Sequence, residues 1–141
     1  MTDAELLTQF EAAGIGSEQW THRAHVKVAY LYLREHPFDV ALTKIRTGIK
    51  KLNAANKVPE GPMMGYNETT THAYTHLIAA VMSAYRQTHP VDSADSFYDM
   101  HPQFQTKHIL RLFYSPERRR HPLAKTEFVE PDLAPLPTII S

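Results

Sequence analysis

Residues 21–56 read THRAHVKVAYLYLREHPFDVALTKIRTGIKKLNAAN, and this stretch decides the fold because it encodes two consecutive amphipathic helices. Thr21 is a favourable N-cap for the first helix, which a His-Pro pair ends near Glu35. Asp39 is expected to cap the second helix, which continues to about Asn56. The apolar positions of the second helix predict one buried seam, formed by Leu42, Ile45, Ile49 and Leu52. Its basic residues are expected on a solvated face: Lys44, Arg46, Lys50 and Lys51.

Helical signals continue on both sides of this stretch. Thr2 and Glu5 can form a capping box for a first helix over residues 3–13. A longer helix is expected from about Asn67 to Gln87, after a loop rich in proline and glycine. Three shorter helical segments are predicted further along the chain, near residues 94–100, over 103–114 and from Ser115 onward.

The sequence therefore predicts an all-α fold. Residues 1–141 are expected to form a single-domain helical bundle of about four to five main helices, because no linker or repeat divides the chain. A proline-rich tail beginning at Pro131 is expected to lie extended against the bundle. The apolar residues that would anchor this tail are Leu133, Leu136 and Ile139.

Composition excludes several classes of function. The chain has 15 basic and 15 acidic residues, so its formal net charge is zero with neutral histidine, and a nucleic-acid partner is disfavoured. No apolar run approaches the roughly 20 residues that span a bilayer, and the N-terminus lacks the character of a signal peptide, so no membrane partner is expected. The absence of cysteine rules out disulfides and thiolate chemistry and fits a reducing compartment. We therefore expect a cytoplasmic protein.

Two of the nine histidines stand out by their position. His22 and His25 lie three residues apart at the start of a predicted helix, and a helical wheel places both on the side opposite Arg23 and Lys27. A buried histidine pair must be hydrogen-bonded, bound to a metal or exposed to a polar cavity, because unsatisfied polar groups are costly to bury. The motif H-x-x-H is weak by itself, and a plain core position remains the alternative.

The helix predicted from Asn67 carries a second set of inward polar groups near its start, Asn67, Thr70, Thr71 and Tyr74. If the two helix starts meet, these groups and the two histidines would satisfy one another around a small pocket. The residues expected to act in acid–base chemistry are His22, His25, Asn67 and Glu68. Those expected to contact a substrate are Thr71, Tyr32, Tyr66 and Tyr74.

Two further groups of residues are weaker candidates. Glu68, His72 and His76 are spaced four apart and could stack three metal ligands, but the wheel places this line opposite the apolar stripe. We therefore expect a solvated face, with His72 and His76 more exposed than the inward histidines. The run of arginines at 118–120 could hold a phosphate, but such a run is more typical of a solvated surface.

Four stretches are distinctive when taken together: 20–26 (WTHRAHV), 65–71 (GYNETTT), 113–118 (FYSPER) and 129–137 (VEPDLAPLP). They resemble a family of small uncharacterised bacterial single-domain proteins, and the resemblance covers nearly the whole chain. It implies a bacterial protein of one domain and carries no known activity. In that family the position of Asn67 is often histidine, and asparagine is a poor ligand for zinc or iron. A divalent-metal cofactor is therefore open but not favoured, with His22 and His25 as first candidates and His72 and His76 as less favoured ones.

The leading hypothesis is a small enzyme that uses the histidine-lined pocket on a small organic substrate, which could be anionic. Two alternatives stay open. One is a non-catalytic protein that binds a small ligand in the same pocket. The other is a structural or interaction module, such as a homodimer, in which the histidines are ordinary core residues.

Overall fold

The computed structural model describes residues 1–140. In that range the only regular elements are helices, which contain 59% of the residues, and there is no strand. Seven α-helices follow one another: α1 (Asp3–Glu11), α2 (His22–Glu35), α3 (Phe38–Ala55), α4 (Glu68–Tyr85), α5 (Ala94–Met100), α6 (Pro116–Arg120) and α7 (Pro122–Thr126). Two short 3₁₀ turns lie between α5 and α6, at Pro102–Phe104 and Ile109–Leu112. The all-α prediction is confirmed. No helix in residues 1–140 combines the length and apolar character needed to cross a membrane.

The core forms where α2, α3 and α4 pack together, with α1 and α5 against α2. The predicted seam of α3 is confirmed, since all four of its residues are buried. Gly48 lies on the same helix beside the ring of Phe10, and a Cβ at this position would overlap that ring. The missing side chain therefore lets α1 approach α3 closely.

The caps explain where most helices begin. Thr2 and Glu5 form the predicted capping box, and the Thr21 hydroxyl accepts a hydrogen bond from the backbone N–H of Ala24 at 3.2 Å. The prediction for Asp39 is wrong. Helix α3 begins at Phe38, two residues earlier than predicted, with Pro37 as its N-cap and no side-chain cap. The fixed φ of proline and the first-turn position of Asp39 suit this start.

The predicted helix over residues 103–114 is also wrong, because the chain there forms two 3₁₀ turns separated by a loop. The carbonyl oxygens of Phe104 and Thr106 accept hydrogen bonds from side chains of other helices, namely His22 and Tyr74. Within residues 1–140, neither carbonyl accepts a hydrogen bond from a backbone N–H group further along the chain. Tertiary hydrogen bonds replace the backbone hydrogen bonds that an α-helix would form here. Helix α7 was not predicted as a separate element; it begins at Pro122 with His121 as its cap.

The C-terminal segment lies extended along α4, as predicted. The Thr69 hydroxyl donates to the carbonyl of Glu127 at 2.8 Å and accepts from the N–H of Val129 at 3.1 Å. Near the end of the chain, Ile140 donates its N–H to the hydroxyl of Ser83 at 3.0 Å. Of the predicted anchors, Leu136 packs against the core and Ile139 is half-buried, but Leu133 is 58% exposed.

Candidate functional site

A cavity of about 310 Å³ lies between the start of α2 and the facing sides of α3 and α4. Apolar side chains from all three helices, together with the preceding Trp20, form much of its wall. The polar part of the wall comes mainly from the starts of α2 and α4. The residues that line it are Trp20, Thr21, His22, His25, Val26, Ala29, Ile45, Ile49, Thr70, Thr71, Tyr74, Thr75, Ile78 and Lys107. We call this space the histidine cavity.

The local sequence places both histidines on this cavity. Helix α2 begins at His22, so a spacing of three residues brings His25 to the same side one turn later. Trp20 precedes the cap and packs against the His25 ring, with 4.4 Å between ring centroids. Trp20 also stacks on Phe10 at 5.3 Å, which ties this end of the cavity to α1.

His22 is held by hydrogen bonds to the loop after α5. Its Nε2 atom lies 2.6 Å from the carbonyl oxygen of Phe104 and 3.1 Å from the hydroxyl of Tyr74. Because a carbonyl only accepts, Nε2 must carry the hydrogen, which leaves Nδ1 as the acceptor of the neutral ring. The Tyr74 hydroxyl donates to the carbonyl of Thr106 at 2.8 Å. Both side chains therefore donate their hydrogen bond to a backbone carbonyl and not to a ligand in the cavity.

Of the two histidines on the cavity, His25 is the one whose ring the protein leaves without a hydrogen bond. Within residues 1–140 no group forms a hydrogen bond to its ring, yet no fully buried side-chain nitrogen or oxygen lacks a partner. The ring nitrogens must therefore keep accessible surface, which agrees with the half-buried state of the residue on the cavity wall. Burial of the ring lowers the pKa of His25 to about 4, and the neighbouring His22 adds a smaller effect in the same direction. At neutral pH it is an uncharged imidazole with one donor and one acceptor nitrogen.

The side of α4 that faces the cavity supplies Thr71, Tyr74 and Thr75, as its helical spacing requires. The Thr75 hydroxyl donates to the carbonyl of Thr71 at 2.7 Å and is satisfied within the helix. Four of the predicted site residues therefore line this one cavity: His22, His25, Thr71 and Tyr74. Their predicted roles toward a substrate remain predictions.

Four predicted site residues lie outside the cavity lining. Asn67 is the N-cap of α4, and its Oδ1 accepts from the N–H of Thr70 at 2.9 Å. Tyr32 is buried near Phe10, with ring centroids 6.1 Å apart, one turn beyond the part of α2 that lines the cavity. Neither residue lines the cavity, because capping and core packing already use their side chains. The expectation that they form part of the pocket is wrong.

Glu68 and Tyr66 lie on the opposite side of α4, in a closed cluster. The Glu68 carboxylate accepts two hydrogen bonds of 2.8 Å from the Arg46 guanidinium and a third, also 2.8 Å, from the Tyr66 hydroxyl. Burial raises the pKa of Glu68, but the hydrogen bonds from Arg46 and Tyr66 outweigh it, so the pKa is lowered. Burial raises the pKa of Tyr66 to about 12. Glu68 is therefore an ionised structural group outside the cavity lining, and the expectation that it belongs to the pocket is wrong.

The solvated face predicted for Glu68, His72 and His76 is wrong as well. His72 stacks on Phe128 of the C-terminal segment, with 3.8 Å between ring centroids, and burial lowers its pKa. His76 contacts the carbonyl of Pro137 through Nε2 at 2.7 Å. His72 and His76 are half-buried, as are the two cavity histidines, so the predicted difference in exposure is not found. The wheel alone could not show that the C-terminal segment covers this side.

The structure also bears on metal binding. Within residues 1–140, no three side chains of histidine, aspartate or glutamate lie close enough together to hold a metal ion. The candidates His22 and His25 have no third protein ligand in that range, and Nε2 of His22 is occupied by the Phe104 carbonyl.

Sequence reasoning missed several residues of the lining. Trp20 precedes the N-cap of α2, and its place in the distinctive stretch 20–26 was the available signal. Ile45 and Ile49 were predicted as core residues, and the packing of α3 turns part of that seam to the cavity. Lys107, the one residue of the lining that carries a full charge at neutral pH, belongs to the loop that was predicted as a helix.

Comparisons of the chain with protein-family models, with curated proteins and with solved structures find no match.

Proposed function

We propose that the protein binds a small organic molecule in the histidine cavity. The apolar part of this molecule would contact Ile45, Ile49 and Ile78, and its one polar group would face His25. The single observation that carries this proposal is the free His25 ring, which has no hydrogen-bond partner in residues 1–140 although it lies on a cavity wall. A polar group in such a place is costly unless water or a ligand satisfies it.

The size and lining of the cavity support a small ligand. Its volume of about 310 Å³ lies at the lower end of the range of roughly 300–1,000 Å³ that is typical of ligand pockets. Val26, Ala29, Ile45, Ile49 and Ile78 supply apolar wall, and few polar groups remain to fix the orientation of the ligand. This combination suits a compact, mostly apolar molecule with one hydrogen-bonding group.

His25 and the two helix starts give no support to the anionic ligand considered from the sequence, so Lys107 is the one charge of the lining that would attract an anion. The pKa of His25 is lowered to about 4, so the ring offers no positive charge near neutral pH. The N-terminal N–H groups of Ala24 and Thr70 are already bonded to the capping side chains of Thr21 and Asn67. The helix ends therefore have less capacity to hold an anion at this place.

An enzyme that uses His25 as a base is the second candidate. Two observations support it: His25 is in the basic form at neutral pH, and its ring is accessible from the cavity. A pKa near 4 makes it a weak base, since acid–base catalysts work best when the pKa lies near the operating pH. His22 and Tyr74 do not supply a matching acid, because both donate to carbonyl oxygens. This candidate is therefore limited to single proton transfers to and from His25.

Phenol and toluene form a matched pair of probes for the proposal. The two molecules have nearly the same shape, but only phenol has a hydroxyl that can hydrogen-bond to His25. We expect both to shift backbone amide signals around the cavity, with phenol binding about 2- to 10-fold more tightly, which corresponds to one net hydrogen bond. Two-dimensional ¹H–¹⁵N spectra recorded during each titration measure the two affinities.

The variant His25→Phe is expected to fill part of the cavity and to remove the preference for phenol. His89→Phe is the matched control, because His89 is exposed in the segment after α4 and lies outside the cavity lining. Equal binding of phenol and toluene by the natural protein, or unchanged phenol binding by His25→Phe, would falsify the proposal. In that case the interaction module with core histidines takes its place.

A further inference from the structure

A second cavity, of about 600 Å³, lies between the loop before α4 and helices α6 and α7. Its lining includes three arginines, Arg111, Arg119 and Arg120, and three large apolar residues, Met63, Met64 and Leu133. We call this space the arginine cleft. Its lining contains no aspartate or glutamate, although the chain as a whole has as many acidic as basic residues.

The three arginines of the cleft are not neutralised by the protein. None of them forms an ion pair within residues 1–140, whereas Arg23 and Arg46 are paired with carboxylates. The neighbouring Arg118 points elsewhere and donates from Nε to the carbonyl of Glu130 at 2.8 Å. Three guanidinium groups are thus left with unused donors around one concave surface.

The effect of these charges is visible at a neighbouring residue. His108 is exposed, and its pKa is lowered chiefly by the charge of Arg111, with smaller contributions from Lys107 and Arg119. His108 lies outside the cleft lining, but the positive potential of Arg111 that disfavours its imidazolium form also favours an anion beside Arg111.

The wall of the cleft is held in place, and part of it is apolar. Lys125 of α7 donates from Nζ to the carbonyl oxygens of Met64 and Tyr66, at 2.8 and 2.6 Å, which fixes the loop. The side chains of Met63, Met64 and Leu133 are 71%, 53% and 58% exposed, which is unusual for large apolar residues that share one cavity.

We propose that the arginine cleft binds an organic phosphate, with the phosphate on Arg111, Arg119 and Arg120 and the organic part on Met63, Met64 and Leu133. Guanidinium groups bind phosphate oxygens in a bidentate manner, and exposed methionines adapt to varied apolar shapes. This site goes beyond the proposed function of the histidine cavity, and it depends on different charged residues. Thr70 lines both cavities, so the two spaces adjoin.

Phenyl phosphate is the probe, titrated into the full chain at low ionic strength and followed by isothermal titration calorimetry. The variant Arg111→Ala/Arg120→Ala removes two exposed cations and is expected to raise the Kd at least about tenfold, and adding Arg119→Ala raises it further. The control Lys44→Ala/Arg86→Ala removes the same charge from exposed positions outside the cleft, and its Kd should stay within about twofold of the natural value. His25→Phe should also leave this Kd unchanged, which separates the site from the histidine cavity.

Other outcomes would overturn the assignment. An equal loss of affinity in the cleft variant and in the control would show that net charge alone attracts the probe. Equal affinity for inorganic phosphate and for phenyl phosphate would remove the apolar part of the proposal. A single-stranded oligonucleotide that binds more tightly than phenyl phosphate and depends on the same arginines would replace it with a nucleic-acid site.

Discussion

Helix α4 has two polar sides, and the protein treats them in opposite ways. On one side, Glu68 is bonded to Arg46 and Tyr66, and the C-terminal segment covers the rest. On the other side, the helix faces a cavity across which the ring of His25 has no partner in residues 1–140. Both sides bury polar groups, but the Glu68 carboxylate is satisfied by hydrogen bonds from protein atoms, whereas the ring of His25 is not.

The comparison separates structural from functional use of buried polarity. A closed network rigidifies the fold and contributes stability only while every member is present. A polar group that lacks a protein partner costs stability unless a ligand or solvent forms the missing hydrogen bond. We therefore expect changes in the closed side to act on folding, and changes at His25 to act on pH dependence and on binding.

The largest expected effect is the pH dependence of stability that His25 confers. Its pKa is about 4 in the folded protein and near 6.5 when the chain is unfolded, so the unfolded state binds the proton first as pH falls. Above about pH 6.5, His25 is neutral in both the folded and the unfolded state, and the free energy of unfolding is not reduced by its titration. As the pH falls toward 4, this titration lowers the free energy of unfolding by about 3 kcal/mol. Urea denaturation at a series of pH values measures this loss.

In the variant His25→Gln this position cannot titrate, so the free energy of unfolding should fall less steeply between pH 6.5 and pH 4. The variant His89→Gln, at an exposed position, should keep the full dependence on pH. Half-buried His72 and buried His101 also have lowered pKa values and add to acid destabilisation with the same sign, so the comparison uses the difference between variants. A constant difference in stability between the natural protein and His25→Gln from pH 7 to pH 4 would contradict the assignment.

The next effect is expected on the closed side of α4. Glu68→Ala leaves the Arg46 guanidinium and the Tyr66 hydroxyl without their partner, and should cost about 2–3 kcal/mol because Arg46 is partly accessible to water. Glu35→Ala is the matched control. Glu35 is paired with Arg34 at 3.2 Å on the surface, and its removal should cost less than about 1 kcal/mol. Equal losses in the two variants would show that the closed network does not stabilise the fold.

Much of the fold could be predicted from the sequence because its signals are local. The cap at Thr21, the capping box at Thr2 and Glu5, and the apolar seam of α3 depend on spacing within a single helix. The inward side of α2 depends on the same spacing, which is why His22 and His25 could be placed together on one cavity.

The errors arise where distant segments decide the outcome. The side of α4 that carries Glu68 was predicted as solvated because no local signal shows that Arg46 and Phe128 will cover it. Likewise, the helix predicted over 103–114 is interrupted where His22 and Tyr74 bond to its carbonyl groups. Asn67 illustrates a different limit, since an inward position and a capping role look alike in the sequence.

The smallest expected effect concerns Tyr74, the tyrosine of the open side. Tyr74→Phe removes the hydroxyl that donates to the carbonyl of Thr106 at 2.8 Å, while His22 still holds the carbonyl of Phe104. The cost should be about 1 kcal/mol, and the amides of residues 105–108 should exchange hydrogen faster than before. The same substitution on the closed side, Tyr66→Phe, removes a bond to an ionised carboxylate and should cost about 2 kcal/mol. If the two tyrosine variants lose the same stability, or if Tyr74→Phe slows exchange in 105–108, then the difference between the two sides of α4 does not extend to their hydroxyl groups.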